Sequence, residues 1–156
     1  MADITVSFKI QNWTSQTVNP RKNGPAYYVL DDGIAVDNKP PKAVPSSSFG
    51  DGGTYSHKSP EITVAVAYSI PGGTHYAVFF YQNNGSSAPV VKTLFYPSRD
   101  FKLDSEFLQY VSDAYAFGAK AQHGFYLGSS YFVYKLVAND TGSGSVEFTI
   151  DGGVST

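Results

Sequence analysis

A chain of 156 residues with 42% apolar content is long enough to bury a sizeable core, and it reads as one domain over residues 1–156. Its formal net charge of −2, with Lys+Arg 11 against Asp+Glu 13, offers no basic block and argues against a nucleic-acid partner or strong capture by anionic membranes. The sequence holds no cysteine, which excludes disulfides, thiolate catalysis and cysteine zinc sites.

Along the chain, Ile4, Val6, Phe8 and Ile10 alternate with Thr5, Ser7, Lys9 and Gln11, the period of a half-buried strand. Residues 13–23 are polar and broken by Pro20, which predicts a turn with a short edge strand at most. A second strand is expected over 26–30, ended by Asp31-Asp32-Gly33, and a short third over 34–36. Residues 38–59 read as the least regular part. Pro40, Pro41 and Pro45 withhold ladder donors, and Ser46-Ser47-Ser48 and Asp51-Gly52-Gly53 are turn chemistry. An interdomain linker is rejected there, because the residues before it are too few for a core of their own.

A hairpin follows over 61–70 and 74–81, around Pro71-Gly72-Gly73. Its apolar residues run continuously rather than alternating, which predicts burial on both faces or a place at the centre of a sandwich. Residues 82–88 form a polar loop, and 89–96 another strand with Val90, Val91, Leu94 and Phe95. The helix is expected over about residues 104–116. Asp104 is its N-cap, and Glu106 suits the positive end of the dipole. Phe107, Leu108, Val111, Ala114 and Tyr115 share one face, with Tyr110 at its edge nearer solvent and Gly118 at the exit. Residues 131–137 and 145–150 make the last hairpin. The sum is a mainly β chain: a two-sheet antiparallel β-sandwich with one flanking α-helix.

Catalytic signatures are missing. His57, His75 and His123 have no zinc spacing, and the two Asp-Gly turns lack the alternating acidic spacing of a calcium loop. There is no nucleophile elbow, phosphate loop or dinucleotide fingerprint. The expectation is therefore a protein that is not an enzyme and carries no metal or cofactor. The opening Met1-Ala2-Asp3-Ile4 has neither a basic nor an apolar leader region. It points to cytosolic synthesis, or release by a non-signal route, with action at target cell membranes. The glycosylation sequons at Asn12, Asn84 and Asn139 are read as chance matches.

The aromatic load is high, with Tyr 12 and Phe 11 beside one Trp and one Met. An aromatic-rich sandwich core explains part of it. A tyrosine-lined binding face would explain the rest, since buried phenols need partners. Tyr110 and Tyr115 on the helix, with Tyr81 and Tyr96 ending strands, are expected to form a shallow aromatic cup. Such a cup holds a quaternary ammonium by cation–π attraction or stacks the apolar face of a sugar. The competing reading is that Tyr115 packs the helix onto the sheet.

The stretch Val66-Ala67-Tyr68-Ser69-Ile70, a turn, then Tyr76-Ala77-Val78-Phe79-Phe80 resembles the central hairpin of the actinoporins, pore-forming cytolysins directed at sphingomyelin. Val6-Ser7-Phe8-Lys9-Ile10-Gln11-Asn12 resembles their first core strand, and Pro41-Lys42-Ala43-Val44-Pro45 their Pro-x-Lys-Val-Pro stretch. The C-terminal hairpin, from Tyr131-Phe132-Val133 onward, is similar to that of the thermostable direct haemolysins. Fungal fruit-body lectins share the sandwich. The resemblance implies recognition of a phosphocholine-like headgroup by helical tyrosines, carried here by Tyr110 and Tyr115, with haemolytic or pore-forming activity. Where the family has a further tyrosine, this chain has Ala114. Only Met1-Ala2-Asp3 precedes the first strand, in place of the family's amphipathic segment. The aromatic membrane loop is replaced by polar residues 82–88, and Arg-Gly-Asp is missing. These departures raise the alternative of a soluble, non-lytic lectin that binds a cell-surface glycan. A self-assembling homo-oligomer is a third reading. If a pore forms, the proline-rich stretch 38–59 is the segment expected to rearrange.

Overall fold

The structure is a computed structural model that describes residues 4–22, 24–30, 34–36, 42–57, 61–72, 75–85, 88–114, 117–142 and 144–155. Among the described residues, eleven strands and one α-helix follow in order: β1 (Ile4–Trp13), β2 (Asn19–Pro20), β3 (Tyr27–Val29), β4 (Ile34–Val36), β5 (Ser48–His57), β6 (Ile62–Ser69), β7 (His75–Asn83), β8 (Val90–Pro97), α1 (Ser105–Asp113), β9 (Lys120–Leu127), β10 (Ser130–Asp140) and β11 (Ser145–Ser155). They form two sheets. One runs β4-β5-β1-β11-β10-β9, and the other β2-β6-β7-β8 with β3 also paired to β6. All neighbours are antiparallel except β1 and β11, which run parallel from Ser7↔Ser145 to Trp13↔Asp151. The expected antiparallel sandwich thus contains one parallel seam.

The alternation along β1 does what its period predicts: Val6, Phe8 and Ile10 are buried, while Thr5 and Lys9 face water. They meet Phe148, Ile150, Leu136 and Tyr55 of their own sheet, and Val64, Val66, Phe79 and Tyr81 of the other. Phe8 is packed edge-on by Tyr55 at 5.4 Å and Phe148 at 5.0 Å. Such pairs add to plain area burial.

Strands β6 and β7 are buried on both faces, as their continuous apolarity predicts. The reason is a third layer. Ala65, Ala67, Tyr76, Val78 and Phe80 point away from the sandwich interior, into a second cluster with Leu94, Phe101, Leu103 and the α1 residues Phe107, Leu108 and Val111. Three largely buried side chains hold α1 down, at roughly 1.5–3 kcal/mol each as an upper bound.

Two expectations fail. Residues 38–59 are not a loop throughout, since β5 is a ten-residue strand paired to both β1 and β4. The Asp51-Gly52-Gly53 turn chemistry is real but sits inside the strand. Asp51 Oδ1 accepts from the Gly53 N–H at 2.8 Å, Gly53 takes φ +102°, and the β1 register shifts between Ser7 and Lys9, a bulge in place of a turn. Of the stretch named for a pore rearrangement, residues 42–57 are described and include this paired strand, while 38–41 and 58–59 lie outside the described residues. Strand β9 was not foreseen, because Lys120–Leu127 mixes polar residues and Gly124 with only a weak alternation.

The turn after β1 is fixed by Asn12. Its amide donates to Gln16 O (2.8 Å) and Val44 O (2.9 Å), and its carbonyl accepts from the Thr14 N–H (2.9 Å) and Oγ1 (2.7 Å). All four hydrogen-bonding positions of the side chain are used. Buried in this way, Asn12 is not available as a glycan acceptor. Across the sandwich margin, His75 of β7 and His123 of β9 pack with ring centroids 4.0 Å apart and planes inclined at 40°. Phe95 (5.4 Å) and Phe125 (5.7 Å) pack against His123.

Candidate functional site

α1 starts and stops at built-in caps. The Asp104 carboxylate accepts from the Phe107 N–H at 3.0 Å, as its sequence position predicts for an N-cap. The helix ends at Asp113, short of the expected boundary, because Ala114 leaves the helical region. The carbonyls freed there are taken by Lys92 of β8, whose Nζ donates to Val111 O (2.7 Å), Ser112 O (3.0 Å) and Ala114 O (3.1 Å). An ammonium at the negative end of the helix also suits the macrodipole. Burial pulls the Lys92 pKa down from its usual value, with the Asp113 carboxylate opposing. Ser112 Oγ donates to Gln82 Oε1 at 3.1 Å, a further tie from the helix end to β7.

Between the 3-10 turn at Ser98–Asp100 and the first turns of α1 lies an open groove of about 240 Å³. It is lined by Tyr96, Asp100, Lys102, Asp104, Glu106, Phe107 and Tyr110. Its floor is an aromatic pile. Tyr96 meets Phe107 edge-on at 5.2 Å, Phe101 meets Phe107 at 5.0 Å, and Tyr110 stands 6.3 Å from Phe107 on the other side. Tyr110 is also packed edge-on by Phe117 at 5.7 Å, yet remains 52% exposed. Beneath the pile, Arg21 donates from Nη2 to Phe101 O at 2.9 Å and lies 4.7 Å from the Phe101 ring centroid. The cation holds the floor from behind.

Of the four tyrosines expected in the cup, the structure brings Tyr96 and Tyr110 into this groove. Tyr115 lies outside the described residues. Tyr81 does not join them. Along β7 the odd residues face the sandwich interior, so Tyr81 is 4% exposed beside Phe8, at 6.3 Å, on the opposite side of the sheet from α1. Its hydroxyl accepts from Asn83 Nδ2 at 3.4 Å, and burial raises its pKa while that bond works against the rise. The carboxylates around the groove escaped the sequence reading. Asp100 and Glu106 sit two residues either side of Lys102 and Asp104, a cluster with a legible signal in Asp-Phe-Lys-Leu-Asp-Ser-Glu. Among the described residues no group of three or more His, Asp or Glu is placed to hold a metal ion.

No family model and no curated protein matches the chain. Among solved structures, it is similar to wild-type Xerocomus chrysenteron lectin XCL, with a TM-score of 0.47 at 6% identity over 96% of this chain and 100% of the lectin. A substituted form of the same lectin aligns with a TM-score of 0.44 at 7% identity over 96% of this chain and 99% of that one.

Proposed function

We propose that this protein is a non-enzymatic binding protein of cell surfaces, and that the groove at the start of α1 takes a saccharide. The observation that carries this reading is the pairing of Tyr96 and Tyr110 around Phe107 with three carboxylates and one ammonium at the rim. Pyranose rings present an apolar face that stacks on phenol, and hydroxyls that donate to carboxylates. A groove of about 240 Å³ is smaller than the ~300–1,000 Å³ that encloses a drug-sized ligand, and suits one ring bound at the surface. The same rim disfavours a phosphate, because Asp100, Asp104 and Glu106 outnumber Lys102.

The test is a glycan array probed with the native chain and with Tyr110→Ala. A ring contributing ~0.5–1.5 kcal/mol predicts a two- to tenfold loss of affinity for the bound glycans. No glycan bound by the native chain, or no change in the variant, would reject the groove. A second reading rests on the same acidic rim. A quaternary ammonium headgroup is drawn to carboxylates and to the exposed Tyr110 face. Flotation with sphingomyelin vesicles separates the two, and dye leakage from those vesicles tests whether binding leads to lysis.

A further inference from the structure

On the far side of the molecule from α1, the outer face of the six-stranded sheet carries a second aromatic feature. Tyr126 of β9 is 73% exposed, and its ring lies 4.7 Å from that of Tyr131 on β10, with the two planes inclined at 49°. The two residues are register partners. Tyr131 lies down on the sheet, its phenol end over Gly124, in space that any side chain at 124 would need. Tyr126 lies beside it as the more exposed of the two, so the pair presents two inclined ring faces that meet in an aromatic corner.

The next outward-facing row carries little of its own beyond Val133, with the Tyr131 phenol laid over its Gly124 end and its Gly153 end bare. Gly124, Val133 and Gly153 face one another across β9, β10 and β11, and a β-carbon at Gly153 would meet nothing within 4 Å. One row further, Gln122, Lys135 and Asp151 stand side by side, with Trp13 of β1 next to Asp151. Same-face rows are spaced about 7 Å along a strand, so corner and polar row stand roughly 13 Å apart with the Val133 row between them. Among the described residues, neither Gln122, Lys135 nor Asp151 has a side-chain hydrogen bond or ion pair. Donor, cation and anion are all uncommitted, and Lys135 and Asp151 cancel in charge.

We propose that this trough binds a neutral, pyranose-based saccharide, with one ring face on the Tyr126–Tyr131 corner and its hydroxyls reaching Gln122, Lys135 and Asp151. The balanced wall offers nothing to a net anion or cation, while a neutral polyol uses donor and acceptor together. A protein partner is the poorer match. A stable interface needs about 800 Å² per side around a dry aromatic centre. Here the two rings are bounded by charged groups after a single sparse row. The proposal is independent of the α1 groove.

The single tryptophan of the chain, Trp13, stands at the end of the polar row, packed edge-on against Phe49 at 5.6 Å, and serves as the fluorescent reporter of this face. The experiment titrates Trp13 emission with neutral galactosyl, glucosyl, mannosyl and N-acetylglucosaminyl oligosaccharides, and repeats the series in Tyr110→Ala, Tyr131→Ala and Gly153→Val. The expected result is a saturable emission change with at least one of these glycans. It persists in Tyr110→Ala, weakens two- to tenfold in Tyr131→Ala, and disappears in Gly153→Val, whose side chain fills the trough. No saturable change with any of the four classes overturns the proposal, as does a change indifferent to both Tyr131→Ala and Gly153→Val. Binding confined to phosphatidylcholine vesicles counts against it equally. Melting curves establish that the variants fold, and Tyr131→Ala decides the matter alone if Gly153→Val does not. Failure of the α1 groove shows separately, as array binding that Tyr110→Ala leaves unchanged and Tyr131→Ala alone weakens.

Discussion

Lys92 makes a structural use of a charge. The residue is 8% exposed, and its ammonium closes the open end of α1 through three carbonyls, with the Phe80 ring 6.0 Å away. Lys92→Met keeps the length of the side chain and strands those carbonyls. The expected cost is ~1–3 kcal/mol, measured as the shift in a urea unfolding curve. The tyrosines show how far single residues can be read without a structure. Tyr110 falls beside the apolar stripe of a 3.6-residue period, and its exposure follows from that. For Tyr81, parity says only that it shares a face with Phe79 and Ala77; the Tyr76-Val78-Phe80 face is as apolar, so which of the two is the sandwich interior could not be read from the sequence. Nor was it legible which strand end lies near α1. Tyr96 reaches the groove because the 3-10 turn and Phe101 bring the chain back over Phe107, and no local pattern announces that return.

At the level of elements, caps and continuous apolarity were the strongest signals. The Asp104 cap stands where its side-chain chemistry demands, and its removal is a direct measure of how firmly α1 is held. Asp104→Ala is expected to cost ~0.5–2 kcal/mol in chemical denaturation, and to weaken saccharide binding as well, since the same carboxylate lines the groove. The hairpin of β6 and β7 was readable because a strand covered on both sides needs no polar residues. Strands β5 and β9 hid for the opposite reason. β5 carries Gly50, Gly52 and Gly53 because close neighbours leave little room: a β-carbon at Gly52 would come within 2.9 Å of the Phe8 Cβ. Glycines placed for close packing look, in one dimension, like turns. In β9 the inward residues Ala121, His123 and Phe125 are partly exposed, so the sheet margin blurred the alternation.

Over the whole molecule, the two sheets are joined at one margin by the His75–His123 pair, and this makes stability depend on acidity. Burial lowers the pKa of both imidazoles. For His75 the neighbouring His123 and then Arg99 lower it further. The His123 Nε2 is buried and has no hydrogen-bond partner among the described residues, so a proton placed there would have none of them to donate to. With folded values below the ordinary 6.5, the unfolded chain binds more protons at acid pH. The stabilising contribution is therefore complete above 6.5 and is lost as pH falls from there through the folded values. Urea midpoints measured between pH 7.5 and pH 5, set points of about one unit either side of the histidine range, should decline toward acid. His123→Phe, which keeps the ring contact and removes the proton site, should flatten that decline. The parallel seam carries a different consequence. β11 is wedged between β1 and β10, so the first strand cannot complete its sheet until the last has left the ribosome. Until then the β1 side of a nascent chain that β11 will cover has no partner, and this sheet closes only after β11 has been made rather than keeping pace with synthesis.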